Sequence, residues 1–241
     1  MIFRFSLEVY PSFALAWAVD WPGLTCGGSD RAEVEESVSR SISEFGAWLL
    51  EHDEQFPPFE GWAIEEIVDA AAAKDEFAFQ SDREPLTAED FERSLRHIAL
   101  ASRDLERAAD LPSNLLDWLP PNMPLGHTDP WSPDPRTIRG ILVHALQLEV
   151  YYRNGLRNGP SRGIFDKVRT PQAERRATLA ALRALPEREW ATVFHPVRPS
   201  RTTPDDWTVR KVLRRLISHH RAHTAEILQR RTWLLLGVPK P

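Results

Sequence analysis

Residues 2–9 alternate strictly between apolar and polar positions. Phe3, Phe5, Leu7 and Val9 fall on one side, and Arg4, Ser6 and Glu8 on the other. A period of two is the pattern of a half-buried strand. Pro11-Ser12 marks a turn, after which Phe13, Leu15, Trp17 and Val19 alternate with alanines. The two runs predict a β-hairpin. Pro22-Gly23 and Gly27-Gly28 read as loop punctuation. From Asp30 the period changes. Val34, Val38, Ile42, Phe45 and Leu49 recur at helical spacing, and Asp30 with Glu33 has the spacing of a capping box. A helix over 30–52 is expected to pack on the hairpin.

Pro57-Pro58 ends that helix, and 63–68 and 77–80 are expected as short strands extending the sheet. Thr87 then opens a helical stripe of Phe91, Leu95, Ile98, Ser102 and Leu105 that runs to about Ala109. Three more helices are predicted, over about 136–157, 170–185 and 206–236. The third of these four starts at Thr170-Pro171, an N-cap followed by proline at the first helical position. The fold class is therefore α+β, with a small α/β module over 1–84 and a four-helix bundle over 85–241. The connections 111–135 and 186–205 are long and proline-rich, which predicts crossovers, and long loops tend to carry function. A short repeat, Thr137-Ile138-Arg139 against Thr208-Val209-Arg210, begins two of the helices. The sheet of the first module is expected to have exposed edges, so the module should pack on the bundle or mediate self-association.

Composition narrows the function classes. In 241 residues, 42% are hydrophobic and 27% charged, as in soluble globular proteins. The net charge is −5 and no basic stripe dominates, so no nucleic-acid partner is expected. Arg210, Lys211, Arg214 and Arg215 read as the solvated outer face of the last helix. Cys26 is the single cysteine, which rules out an intrachain disulfide. No apolar run of about 18 residues suggests a membrane span. The first residues have neither the basic nor the apolar region of a signal peptide. The expected location is cytoplasmic.

The candidate chemistry rests on three histidines. His219 and His223 are four residues apart and project from one helix face. His144 lies three residues after Ile141 and four before Leu148, at the edge of an apolar stripe. Three imidazoles from two helices would complete a metal site with positions open to water or substrate. Read blandly, the same residues are core or surface histidines with ordinary hydrogen bonds. His220, rotated about 100° from His219, either packs in the core or exchanges roles with it. Glu226 is a partner of a ligand, a fourth ligand or a surface charge. Tyr151 shares the face of His144, and either reaches the site or packs. His127 lies on the long loop, as a pocket-lining group or a plain loop residue. Trp118 and Trp131 stand where they could wall a pocket. His52, His97 and His195 have no partner at ligand spacing, and Cys26 is given no catalytic role.

The segments TIRGILVHALQLEVYY, WTVRKVL and HHRAHTAEIL, in that order, make the region from about 85 to 236 resemble the DinB/YfiT-like bundle family. The resemblance implies a divalent metal held by His144, His219 and His223. It also implies metal-dependent thiol S-transferase or hydrolase-like chemistry. The family's last helix often carries Gln three residues after the final His; here the residue is Glu226. The first 55 residues, with PGLTCGGSDRAEVEESVSRSI, resemble the HicB-like antitoxin fold, without the DNA-binding tail common there. Together these predict a metal-dependent enzyme that activates a thiol or water. Zn is the default ion, and Ni, Mn and Fe are compatible. A low-molecular-weight thiol is a candidate cosubstrate, a small molecule the candidate substrate, and a homodimer the candidate assembly. The alternative is a non-catalytic, metal-stabilised binding protein whose N-terminal module makes protein–protein contacts.

Overall fold

The alternating run at the start of the chain forms β1 (Ile2–Val9), which pairs antiparallel with β2 (Ala14–Ala18). The computed structural model describes residues 1–70, 77–119, 137–157, 159–160, 170–197 and 205–236. β2 pairs in turn with β3 (Thr25–Gly28), a strand where glycine punctuation had suggested only a loop. The glycines suit this strand because it is crowded. A Cβ on Gly28 would lie 2.9 Å from Cβ of Glu33, at the start of the following helix. β4 (Gly61–Asp69) lies parallel to β1 on its other side, with a register shift at Phe5/Ser6, giving the order β3-β2-β1-β4.

The expected strand over 77–80 is not formed. Its amides are taken by side chains instead of a ladder: Phe79 donates to Asp82 Oδ2 at 3.0 Å and Gln80 to the Glu66 carboxylate at 2.8 Å. A 3₁₀ turn follows at Ser81–Arg83.

Helix α1 (Arg31–Leu50) is capped by Asp30, whose side chain accepts from the Glu33 amide. It lays Val34, Val38, Ile42, Phe45 and Leu49 on the apolar face of the sheet, against Phe3, Phe5 and Leu7. The long helices that follow are α2 (Ala88–Ala108), α4 (Ile138–Gly155), α5 (Pro171–Arg183) and α6 (Val209–Leu236), with a short α3 (Ser113–Leu116) after α2. Threonines 87, 137 and 170 cap α2, α4 and α5 by accepting from the amide three residues on. The ring of contacts α2–α6, α6–α4, α4–α5 and α5–α2 closes around Phe91, Leu95, Ile98, Leu213 and Leu216. Trp207 is fully buried there. It lies so close to Gly155 that a Cβ would come within 2.6 Å of the ring.

The other face of the sheet is covered at its centre. Ser6 and Glu8, on the polar side of β1, are both completely buried because α6 and the 3₁₀ turn cover them. Ser6 shares a hydrogen bond with Ser81, and Arg215 pairs with Glu8 at 3.4 Å. This corrects the reading of Arg210, Lys211, Arg214 and Arg215 as a solvated face: the first three are buried and the fourth is largely so. Arg214 binds both carboxylate oxygens of Asp82 at 2.9 Å and lies over the Trp17 ring. Arg210 donates to the carbonyls of Val19 and Pro85. Lys211 donates to those of Phe77 and Asp206 and lies over Trp207. Buried charge is tolerated only with such partners. The approach is closest at Gly23, whose φ is +95° and where a Cβ would stand 2.2 Å from Cγ2 of Ile217.

Two expectations follow. Asp82→Ala strands the Arg214 guanidinium in the interior and should destabilise the protein by about 3–5 kcal/mol; denaturant midpoints measure it, and a change within experimental scatter would refute the pairing. The second concerns acid. His97 is buried among Trp21, Phe45 and Trp48, and burial lowers its pKa from 6.5 to about 4. The unfolded chain therefore takes up a proton below pH 6.5 that the folded one refuses until about pH 4. Stability present above pH 6.5 should be lost as pH falls through that window, by up to roughly 3 kcal/mol. His97→Gln should flatten that part of the pH–stability curve.

Candidate metal centre

The 3.6-residue period of α6 puts His219 and His223 one turn apart, and α4 packs beside them with His144. The result is a convergence of ring nitrogens. His219 Nε2 lies 3.3 Å from His144 Nε2 and 3.0 Å from His223 Nε2. One ligand atom from each of the three residues lies within 4.8 Å of those of the others. Metal–nitrogen bonds of 2.0–2.1 Å in tetrahedral or octahedral geometry set ligand nitrogens roughly 2.9–3.4 Å apart. The two closest separations fall in that span. His223 is buried, and His144 and His219 are half-buried, so the cluster sits at the edge of the helical core.

The orientation of one ring is held from behind. His223 Nδ1 is 2.7 Å from Glu226 Oε2, and Glu226 pairs with the fully buried Arg230 at 2.9 Å. With Nδ1–H donated to the carboxylate, Nε2 carries the lone pair and presents it to the other two rings. Glu226 is thus a buried partner of a candidate ligand, not a surface charge. Burial, with His223 and His144 close by, holds the His219 imidazole well below its ordinary pKa. The neutral ring is the form that ligates metal.

His220 does not join the cluster. It turns into the helical core, where its Nδ1 is 2.9 Å from Ser102 Oγ and its Nε2 is 3.8 Å from Glu149 Oε1. Burial lowers its pKa to about 3. Burial also pushes the Glu149 carboxyl up to about 8, so it is mostly protonated at neutral pH. Ser102 was legible in sequence only as part of the inward stripe of α2, and Glu149 not at all. The available signal for Glu149 was a lone acid within Leu146-Gln147-Leu148-Glu149-Val150. Tyr151, for which both reach to the site and packing were open, packs edge-on against Trp207 at 5.6 Å. The adjacent Tyr152 stands edge-on to His219 at 5.9 Å.

The remaining candidates lie elsewhere. His52 bonds to Asp104, and His195 pairs with Asp206. Trp118 is half-buried beyond α3, while His127 and Trp131 fall outside the described residues. Cys26 is buried on β3, and burial pushes its thiol up to about 11. Comparison with family models, with curated proteins and with solved structures finds no match to this chain.

Because the thiolate is the reactive form, native Cys26 should react with a thiol reagent at pH 7–8 far more slowly than the unfolded chain does. Equal rates, followed by absorbance, would show that the thiol is neither buried nor raised.

Proposed function

We propose that this chain is a divalent-metal-dependent enzyme of the DinB/YfiT-like type, with a HicB-like N-terminal module. The observation that carries the reading is the convergence of three Nε2 atoms at metal-ligand spacing, with Glu226 and Arg230 fixing one ring. His144, His219 and His223 would hold the ion, Zn by default, with Ni, Mn or Fe compatible with three imidazoles. When bound, the ion would lower the pKa of a coordinated thiol or water and so supply a nucleophile at neutral pH. Glu226 keeps His223 in the ligating tautomer. Tyr152 narrows the approach to His219. The electrophile is a small molecule, and the nucleophile is a low-molecular-weight thiol or water. A cytoplasmic setting, where such thiols are abundant and reduced, fits this reading.

A second reading is favoured by the placement of the ligands on two helices. An ion joining His144 of α4 to His219 and His223 of α6 would clamp the helices without catalysis, leaving the N-terminal module to contact proteins or a second copy.

Metal analysis of the purified protein should find one ion per chain, lost in His219→Ala and His223→Ala. Glu226→Gln should weaken metal affinity about 10–100-fold, measured by competition with a chromogenic chelator. Failure to bind any of the four metals at saturation would overturn both readings. Thiol conjugation or hydrolysis abolished by chelator supports the enzyme. Chelation that melts the protein, without activity at saturating metal, supports the clamp.

A further inference from the structure

The face of α6 opposite His219 and His223 borders a second concavity, walled by the C-terminal end of α1 and by α2, with a volume of about 1030 Å³. Four arginines line it, Arg103, Arg107, Arg221 and Arg231, and none of them pairs with a carboxylate among the described residues. Arg221 is packed between the Phe45 and Trp48 rings, 4.7 Å from each centroid, and uses one N–H on the carbonyl of Gly23. Arg231 donates to the carbonyls of Arg107 and Ala108 at the end of α2. Arg103 and Arg107, one turn apart on α2, are exposed and make no side-chain bond among the described residues.

Three acids share the groove with this set. Asp104 is engaged by Trp48 Nε1 and by His52, both at 2.8 Å, while Glu51 and Asp110 stand exposed at the rim. The rest of the lining is apolar: the half-buried Trp48 ring and the exposed Leu228 and Leu235.

We propose that this groove binds an organic phosphate with an aromatic or apolar body. Guanidiniums from two helices receive the phosphate oxygens, and Trp48 with Leu228 covers the body. The exposed guanidiniums of Arg103 and Arg107, with Arg231 held against the end of α2, offer forked donors that suit the three terminal oxygens of a phosphate dianion better than the two of a carboxylate. An apolar wall beside them suits a ligand that is more than inorganic phosphate, and the volume is that of a small-molecule site. The site is independent of the three-histidine cluster and stands whether or not that cluster holds metal.

The test is calorimetric titration of the full chain at low salt with phenyl phosphate, inorganic phosphate and phenylacetate, and co-sedimentation with anionic phospholipid vesicles. Phenyl phosphate should bind saturably at one site, roughly tenfold or more tighter than either of the other two small anions. The double variant Arg103→Gln, Arg107→Gln, whose side chains are exposed and so spare the fold, should weaken it at least about tenfold. Arg221→Met should do the same, and His223→Ala should leave the affinity unchanged. No saturation by about 10 mM, an affinity equal to that of inorganic phosphate, a preference for phenylacetate, or an undiminished affinity in the double variant would each overturn the proposal. So would binding to vesicles without binding to phenyl phosphate, because it would mark a membrane-facing surface instead of a small-molecule site.

Discussion

The burial of the cationic face of α6 against the polar face of the sheet is the constraint on which the other arrangements depend. Arg214 on Asp82, Arg215 on Glu8, and Arg210 on backbone carbonyls fix the rotation of α6 about its axis. That rotation decides which histidines face α4. Turned by one residue, His220 would replace His219 at the cluster, and the Ser102–His220 hydrogen bond would be lost. A single 28-residue helix thus joins three environments: the sheet, the helical core and the groove beside α1. Desolvation offsets most of the attraction of charged pairs in such a seam, while removing one partner strands the other in the interior.

The local features were legible in the sequence because local rules govern them. The period of two in β1, the Asp30 cap, the Thr-Pro start of α5 and the i,i+4 spacing of His219 and His223 all involve neighbours within a turn or a strand. The same is true of the apolar stripe that places His144 inward. What escaped was non-local. The partners of Arg214 and Arg215 lie 132 and 207 residues away, so a run of cations read as a solvated face. β3 escaped because glycines usually punctuate, whereas here they admit α1 at close range. The segment over 77–80 had the apolar content of a strand, but the carboxylates of Asp82 and Glu66 take the amides of Phe79 and Gln80.

The choice between His219 and His220 shows where spacing stops informing. Both lie within four residues of His223, and the i,i+4 rule favours the first only on geometry. The structure separates them by environment. His219 meets two imidazoles and an aromatic edge, while His220 is buried beside a hydroxyl and a carboxyl. The second set makes a polar pocket within the helical core. A buried pocket of that kind is costly unless its groups are paired or neutral, and the raised Glu149 and lowered His220 are both held in their uncharged forms.

The reach of α6 back to the sheet also orders events during synthesis. Thr25 on β3 meets Ser218 on α6 across 193 residues. At about 5–20 residues per second, the ribosome adds that length in roughly 10–40 s. Through that interval β1 and β2 can pair and collect α1, yet Trp17, Ser6 and Glu8 have no cover. The nascent chain must therefore carry a half-clad sheet with an aromatic exposed, a surface of the kind chaperones retain, until the last long helix emerges to close it.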